Sequence, residues 1–148
     1  MISSILTVCT GNICRSPLAE YRFKELLEDK EILVSSAGVN ALVGQPADGS
    51  AQVIAEENGL DLKAHKGQAL TEYIVQENEL IFVMENAHKR LICDLYPFST
   101  GKVFLLGKWL DDPEIIDPYK KSIDMFRAIY EKIDQSCRKW IPYLEGVI

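Results

Sequence analysis

The chain has 148 residues, of which 47% are apolar and 26% are charged, and its formal net charge is −6. This size and composition predict one soluble globular domain over residues 1–148, with a sizeable core and no room for a second full domain. The sixteen Lys and Arg residues are scattered along the sequence. A nucleic acid or an anionic membrane surface demands a clustered basic face, so neither partner is expected.

The N-terminal residues are apolar but lack a basic leader and a small-residue cleavage site, and no apolar run approaches the ~18 residues of a membrane span. We therefore expect a cytoplasmic monomer without membrane insertion. The four cysteines are few and irregularly spaced, which predicts reduced thiols rather than a disulfide framework. No Cys/His spacing is that of a zinc site, and neither a metal nor another cofactor is predicted.

The hydrophobic pattern alternates between strands and helices along the chain. Short apolar and β-branched runs predict strands, while apolar residues at helical spacing, bounded by caps, prolines and glycines, predict helices. The predicted strands cover residues 2–8, 31–35, 80–84 and 102–106, and the predicted helices cover 16–28, 47–58, 71–75, 87–95 and 122–144. This order predicts an α/β fold: a single-domain three-layer sandwich with about four parallel strands and helices on both faces. Such a sheet binds ligands at the carboxyl ends of its strands.

The most informative segment joins the first predicted strand to the first predicted helix and reads Cys-Thr-Gly-Asn-Ile-Cys-Arg-Ser-Pro over residues 9–17. The short loop between Cys9 and Arg15 can surround a tetrahedral dianion with backbone N–H groups, and the helix N-terminus adds partial positive charge. Gly11 is predicted to supply the unusual backbone angles, and Arg15 can give two parallel hydrogen bonds to phosphate oxygens. The same field favours the thiolate form of Cys9, which makes it a candidate nucleophile.

Other residues of the loop are candidates for binding the phosphate. Ser16 is placed to donate its hydroxyl to the Cys9 thiolate or to cap the helix, and these two roles are compatible. Cys14 is either a reversible disulfide partner that protects Cys9 from further oxidation or simply a buried side chain. The predicted substrate-binding residues of the loop are Thr10, Gly11, Asn12, Ile13, Cys14 and Ser16.

Residues 8–17 resemble the signature Val-Cys-x-Gly-Asn-Ile-Cys-Arg-Ser-Pro of the low-molecular-weight protein tyrosine phosphatases. The likeness continues through Ser36-Ala37-Gly38, Gly44, Asp48 and Asp117-Pro118-Tyr119, so it spans nearly the whole chain. The resemblance implies a metal-independent phosphatase that forms a phosphocysteine and then hydrolyses it. It also implies that Asn12 stabilises the loop rather than taking part in the chemistry.

A general acid is expected in the long irregular stretch at residues 107–121, where a carboxyl can protonate the leaving oxygen. Two Asp-Pro pairs occur there, at Asp112 and Asp117, and spacing alone does not choose between them. The family motif has an aromatic residue after the proline, which favours Asp117 because Tyr119 follows Pro118. Tyr119 is then expected to form one wall of the pocket.

The stretch at residues 38–44 is expected to form another wall of the pocket, with Leu42 at a position where eukaryotic family members carry a bulky aromatic residue. That departure resembles the bacterial subgroup associated with capsule and exopolysaccharide export. The resemblance implies that the partner is a phosphotyrosine protein, a tyrosine autokinase with a tyrosine-rich tail.

Two other activities fit the same loop. An arsenate reductase of this fold needs a resolving cysteine pair, whereas Cys93 and Cys137 fall at apolar helix positions and are expected in the core. A phosphotransfer module would carry phosphate on Cys9 without hydrolysing it. His65 and His88 show no spacing that fixes a role, and neither is assigned one.

Overall fold

The computed structural model describes residues 2–146, so Met1 and residues 147–148 of the predicted domain lie outside it. It contains every predicted strand and helix, with ends that shift by a few residues. The strands are β1 (Ser4–Cys9), β2 (Leu33–Gly38), β3 (Leu80–Val83) and β4 (Val103–Leu105). The helices are α1 (Arg15–Leu26), α2 (Gly49–Glu57), α3 (Glu72–Glu77), α4 (Asn86–Leu95) and α5 (Ile123–Leu144). A 3-10 turn at Pro97–Lys102 joins α4 to β4.

The strands form one parallel sheet in the order β2-β1-β3-β4. All six residues of β1 are buried, as expected for a central strand of a sheet that is covered on both faces. In the register, Cys9 pairs with Gly38 and Val8 pairs with Val83, so β1, β2 and β3 end at the same edge. Strand order reverses at β1, and ligands of open parallel sheets bind at such a point.

Helices cover both faces of the sheet, which confirms the predicted three-layer α/β fold. Helices α1, α2 and α5 pack on one face around an aromatic core in which the ring of Phe82 stacks on Phe23 and contacts the tilted ring of Trp140. Helices α3 and α4 pack on the other face against Leu6 and Val8 of β1. These layers fix β1, and with it the start of the loop that follows Cys9.

The second strand lies further along the chain than its apolar pattern predicts. It covers Leu33–Gly38 rather than residues 31–35, because its pairing with β1 continues as far as Cys9. Ser, Ala and Gly have little intrinsic strand preference, so tertiary pairing has overridden local propensity here. The shift brings Gly38 beside the loop.

Within residues 2–146, none of the helices has the length and apolar character that crossing a membrane requires.

Candidate active site

The loop after β1 lies in the crevice at the carboxyl edge of the sheet, with Cys9 at the end of the strand and Arg15 at the start of α1. Gly38 of the neighbouring strand lies directly against it. A Cβ atom at Gly38 would lie 2.5 Å from the carbonyl oxygen of Thr10, so only glycine allows the two backbones to approach this closely. The Ser-Ala-Gly end of β2 therefore shapes the loop.

The backbone carbonyl groups of residues 9–13 all accept hydrogen bonds from groups outside the loop. The carbonyl oxygens of residues 9–13 accept, in order, from the N–H groups of Val39, Asn40 and Leu42, the Nε2 of His65 and the N–H group of Asp48. In a trans peptide the N–H points away from the preceding carbonyl, so the N–H groups of residues 10–14 are turned toward the centre of the loop. Five inward N–H groups at a helix N-terminus make an anion-binding concavity.

Cys9 is buried at the base of this concavity and contacts two hydrogen-bonding groups. Its Sγ lies 2.9 Å from the hydroxyl oxygen of Ser16 and accepts from the N–H of Asn12 at 3.3 Å. Both groups can donate to sulfur, so two hydrogen bonds can hold Sγ at the base of the concavity.

Asn12, rather than Gly11, adopts the left-handed conformation in the loop, with a φ angle of 58°. The prediction for Gly11 was wrong because Asn also tolerates this conformation, and here its side chain is held by hydrogen bonds. Its Nδ2 donates to Ser16 Oγ at 2.8 Å and to Ser36 Oγ at 2.9 Å, while its Oδ1 accepts from the N–H of Gln68 at 2.9 Å. Asn12 is fully buried and faces away from the cavity.

Ser16 does not cap the first helix. The helix begins one residue earlier, at Arg15, and no side chain accepts a hydrogen bond as its N-cap. The anion-binding loop itself precedes the helix, so the free N–H groups face the cavity instead of a cap. The Ser16 hydroxyl lies beneath the loop, between Cys9 and Asn12, and is fully buried.

Arg15 is 1% exposed and reaches across the base of the cavity. Its Nη1 donates to Glu85 Oε2 at 2.5 Å and to the carbonyl oxygen of Ile115 at 2.8 Å. Its Nε is buried and, among the described residues, has no hydrogen-bond partner. An unpaired buried N–H costs about 1–3 kcal/mol, so a bound anion is the natural partner for it.

The stretch at residues 107–121, called the acid loop below, carries Asp117 to the mouth of the cavity. Its Oδ2 lies 3.8 Å from Arg15 Nη2, its Oδ1 accepts from the N–H of Tyr119 at 3.0 Å, and 47% of its side chain is exposed. Asp112 is 82% exposed, pairs with Lys132 at 3.4 Å and does not line the cavity. The geometry therefore favours Asp117 over Asp112 as the candidate acid.

The cavity has a volume of about 180 Å³. That is below the ~300–1,000 Å³ of pockets for drug-sized ligands and suits one modified side chain. Its walls are partly apolar, with half-buried Leu42 and Tyr119 at the rim and Asn40 between the rim and the loop. Two of the predicted substrate-binding residues, Asn12 and Ser16, lie behind the cavity and do not line it. The other predicted substrate-binding residues line the cavity: Thr10, Gly11, Ile13, Cys14, Leu42 and Tyr119.

The cysteines are all free thiols and occupy different environments. Cys14 lines the cavity but is nearly buried, and desolvation, with the charges of Asp48 and Cys9, raises its pKa far above the ordinary thiol value. Cys137 lies on α5 and is buried in the core that α1, α2 and α5 form, whereas Cys93 packs against the core on the opposite face of the sheet. Cys93 and Cys137 are therefore separated by the sheet.

Both histidines, which sequence reasoning left without a role, are buried against the loop. His65 Nε2 lies 2.6 Å from the carbonyl oxygen of Asn12, and His88 Nε2 lies 3.0 Å from Thr10 Oγ1. Glu85, the ion-pair partner of Arg15, was also missed. The available signal for Glu85 and His88 was their position directly after a predicted strand, at the edge where ligands bind.

Possible metal ligands do not gather at this site. In the part of the chain that the structure describes, no three His, Cys, Asp or Glu residues are placed to hold a metal ion.

Comparison with known proteins places this chain in a family. The profile of the low molecular weight phosphotyrosine protein phosphatase family matches residues 4–146. The probable low molecular weight protein-tyrosine-phosphatase AmsI of Erwinia amylovora is 45% identical over 144 residues, which cover 97% of this chain and 99% of that protein.

Solved structures agree with the sequence match. The tyrosine phosphatase Wzb from Escherichia coli K30, in complex with sulphate, is 43% identical, covers 97% of this chain and 99% of its own, and superposes with a TM-score of 0.93. Vibrio vulnificus Wzb in complex with benzylphosphonate is 37% identical, covers 97% of this chain and 100% of its own, and has a TM-score of 0.92.

The fold and the cysteine-arginine loop define a phosphatase of the protein-tyrosine-phosphatase class. The chain belongs to the low molecular weight phosphotyrosine protein phosphatase family.

Proposed function

We propose that this protein hydrolyses phosphotyrosine through a phosphocysteine on Cys9, with Arg15 as the phosphate clamp and Asp117 as the general acid and base. One observation carries the proposal: Cys9, Arg15 and Asp117 line one small cavity, at whose base the Nε of Arg15 has no hydrogen-bond partner among residues 2–146. Nucleophile, anion clamp and proton donor are the three parts that the reaction needs.

In the first step, the Cys9 thiolate attacks phosphorus in line with the ester oxygen. The S–P bond forms as the P–O bond breaks, and Asp117 gives its proton to the leaving phenolate oxygen. The inward N–H groups of the loop and the guanidinium of Arg15 hold the remaining phosphate oxygens. Tyrosine leaves, and phosphocysteine remains.

In the second step, the Asp117 carboxylate takes a proton from water as that water attacks phosphorus. The S–P bond breaks, and inorganic phosphate and the Cys9 thiolate are released. By microscopic reversibility, the group that protonated the leaving oxygen is the one that activates the water. The hydroxyl of Ser16, 2.9 Å from the sulfur, stabilises the thiolate both before the first step and after the second.

The dimensions and walls of the cavity support an aromatic phosphoester as the substrate. Leu42 and Tyr119 face it from separate loops, so a phenyl ring can pass between an aliphatic and an aromatic side chain. A relative from Vibrio vulnificus was solved with benzylphosphonate, which joins a phenyl ring to a phosphonate group. The physiological substrate we propose is a tyrosine autokinase of exopolysaccharide export, and we propose that the protein acts on it as a cytoplasmic monomer.

The mechanism is tested by hydrolysis of an aryl phosphate with EDTA present. Wild type is compared with Cys9→Ser, Asp117→Ala and, as a matched control in the same loop, Asp112→Ala. We expect EDTA to be harmless, Cys9→Ser to be inactive and Asp117→Ala alone to be slowed by about 10²-fold or more. Equal losses in the two aspartate variants would contradict the assignment of the acid.

The arsenate reductase alternative is weakened by the separation of Cys93 and Cys137 on opposite faces of the sheet. The phosphotransfer alternative is tested in the same assay, because it predicts phosphocysteine that accumulates without turnover.

For the proposed substrate, phosphotyrosine peptides from an autokinase tail are compared with phosphoserine peptides of the same sequence. Equal rates on the two peptide sets would count against tyrosine specificity.

A further inference from the structure

The N-terminus of α4 lies against the phosphate-binding loop. β3 ends at Val83, and the chain enters α4 at Asn86 after Met84 and Glu85. Because β3 is the neighbour of β1 in the parallel sheet, this turn lies beside the loop that follows β1. Side chains from the start of α4 can therefore reach the loop from behind.

Glu85 holds one end of Arg15. The two hydrogens of Arg15 Nη1 are occupied by Glu85 Oε2 at 2.5 Å and the carbonyl oxygen of Ile115 at 2.8 Å. In contrast, within the part of the chain that the structure describes, Nη2 has only long contacts, at 3.5 Å to Thr10 Oγ1 and 3.8 Å to Asp117 Oδ2, and Nε has no hydrogen-bond partner. The edge that carries Nε and Nη2 is thus available for two phosphate oxygens in fork geometry.

His88 contacts the loop at Thr10, and its hydrogen bonds fix its tautomer. Its Nδ1 lies 3.1 Å from the backbone N–H of Glu85, which can only donate, so Nδ1 must accept. The hydrogen of the neutral imidazole is then on Nε2, which donates to Thr10 Oγ1 at 3.0 Å. Burial, followed by the charge of Arg15, lowers the pKa of His88 and favours this neutral ring, although Glu85, Asp117 and Glu114 act in the opposite direction.

The orientation of the Thr10 hydroxyl follows from these contacts. Its oxygen accepts from His88 Nε2 and, more weakly, from Arg15 Nη2. Since both acceptor positions are taken, the hydroxyl hydrogen is left to donate, and Thr10 lines the cavity. Thr10 can therefore present a further donor to a phosphate oxygen.

We propose that Glu85 and His88 are positioning residues: Glu85 turns the Nε and Nη2 edge of Arg15 toward the bound phosphate, and His88 turns the hydroxyl hydrogen of Thr10 toward it. This role rests on the proposed phosphatase function, because the Arg15 edge and the Thr10 hydroxyl would both donate hydrogen bonds to the phosphate of the substrate. Neither Glu85 nor His88 is among the residues that line the cavity. Both act through a neighbour that does line it.

The test of Glu85 compares Glu85→Gln, which keeps the length and removes the charge, with Glu85→Asp, which keeps the charge and shortens the reach. The matched control is Glu57→Gln, since Glu57 is also a carboxylate paired with an arginine, Arg127 at 2.9 Å, but does not line the cavity. We measure kcat and KM on an aryl phosphate, the inhibition constant of inorganic phosphate, and the thermal unfolding temperature. Positioning predicts that kcat falls about tenfold or more in both Glu85 variants and stays near wild type in the control.

Three results would overturn the role of Glu85. If Glu85→Asp behaves as wild type while Glu85→Gln binds phosphate more tightly, the residue only tunes charge. If the loss of kcat equals the unfolded fraction at the assay temperature, its role is structural. If kcat is unchanged in both Glu85 variants, Arg15 does not need the contact.

If wild type does not hydrolyse the aryl phosphate, the result counts against the proposed function. The positioning role of Glu85 is then tested by measuring the affinity for inorganic phosphate by calorimetry. Weaker binding in Glu85→Asp than in wild type would support positioning, and equal binding would overturn it.

The test of His88 is spectroscopic and does not depend on activity. Nitrogen-15 correlation spectra of the imidazole at about pH 7.5 report which ring nitrogen carries the hydrogen. We expect a neutral ring with the hydrogen on Nε2 in wild type. A ring protonated on Nδ1, alone or together with Nε2, cannot accept from Glu85, and this result would overturn the proposed orientation of Thr10.

Discussion

The phosphate-binding loop and the acid loop face each other across one cavity, but they are built differently. In the phosphate-binding loop, residues 9–13 all have their carbonyls paired outside the loop, and Cys9, Asn12 and Arg15 are buried. The acid loop is anchored at Ile115, which is fully buried, donates its N–H to the carbonyl oxygen of Met84 and accepts at its own carbonyl from Arg15 Nη1. Beyond Ile115, the side chains of Ile116, Asp117 and Tyr119 are about half exposed.

This difference corresponds to the two tasks of the site. Holding a dianion requires donors that are already oriented before the substrate arrives, and only a fully bonded backbone provides them. Donating a proton requires one carboxyl at the right distance, which a loop that is anchored near Ile115 and exposed beyond it can supply. Changes in the first region should therefore affect both stability and activity, whereas changes near Asp117 should affect activity alone.

After the inactive Cys9→Ser variant, the largest effect is expected for Asp117→Asn. We expect kcat on phenyl phosphate to fall by about 10²–10⁴-fold, because a poor leaving group needs the proton. The loss should be smaller on 4-nitrophenyl phosphate, whose leaving group is stable without it. Unfolding free energy should change by less than ~0.5 kcal/mol, since the side chain is half exposed. Asp112→Asn is the control, and an equal loss on both substrates would contradict the acid role.

A smaller loss of activity, together with a clear loss of stability, is expected for Asn12→Ala. The change removes three side-chain hydrogen bonds and places alanine at a φ angle of 58°. We expect unfolding free energy to fall by roughly 2–4 kcal/mol and kcat by about 10–100-fold. Asn78→Ala is the control, because Asn78 is also buried and donates to the carbonyl of Ile74 away from the cavity. A variant of Asn12 with normal kcat would mean that the loop forms without it.

Gly107→Ala tests the anchor of the acid loop. A Cβ atom at Gly107 would collide with the carbonyl oxygen of Pro113, whereas one at Gly101 would meet nothing within 4 Å. We expect Gly107→Ala to cost about 1–3 kcal/mol of unfolding free energy and to lower kcat only a few-fold, because Ile115 still anchors the segment. Gly101→Ala should leave kcat unchanged. Denaturant unfolding and steady-state kinetics measure the two quantities.

The smallest effect is the pH dependence of stability that His88 contributes. Burial, and then the charge of Arg15, lower its pKa in the folded state, while Glu85, Asp117 and Glu114 oppose that shift. The unfolded state therefore binds more protons in the interval below the ordinary pKa of about 6.5, and stability falls as pH drops through that interval. The glutamine in His88→Gln cannot be protonated, so the variant does not lose this stability at low pH. The difference in unfolding free energy between wild type and His88→Gln should therefore become smaller as pH is lowered from about 7 to about 5. A deficit that is constant with pH would refute the expected titration.

The sequence predicted the fold class and the order of the strands and helices, because hydrophobic periodicity and turn residues are local signals. It also indicated the candidate residues Cys9, Arg15 and Asp117, since the spacing of the cysteine-arginine loop between strand and helix is a local property. The preference for Asp117 over Asp112 came from a family motif, and the position of Asp117 at the cavity mouth agrees with it.

Only the tertiary structure decided how the loop is supported. Asn12, and not Gly11, is the left-handed residue, and Ser16 lies beneath the loop instead of capping a helix. Glu85 and His88 lie behind the loop, where they contact Arg15 and Thr10. These arrangements depend on groups that are distant in sequence. Parallel pairing brings the ends of β1, β2 and β3 to one edge, and the residues that follow them meet there. Local patterns specify which segments become strands and helices, but these hydrogen bonds form only between segments that packing has brought together.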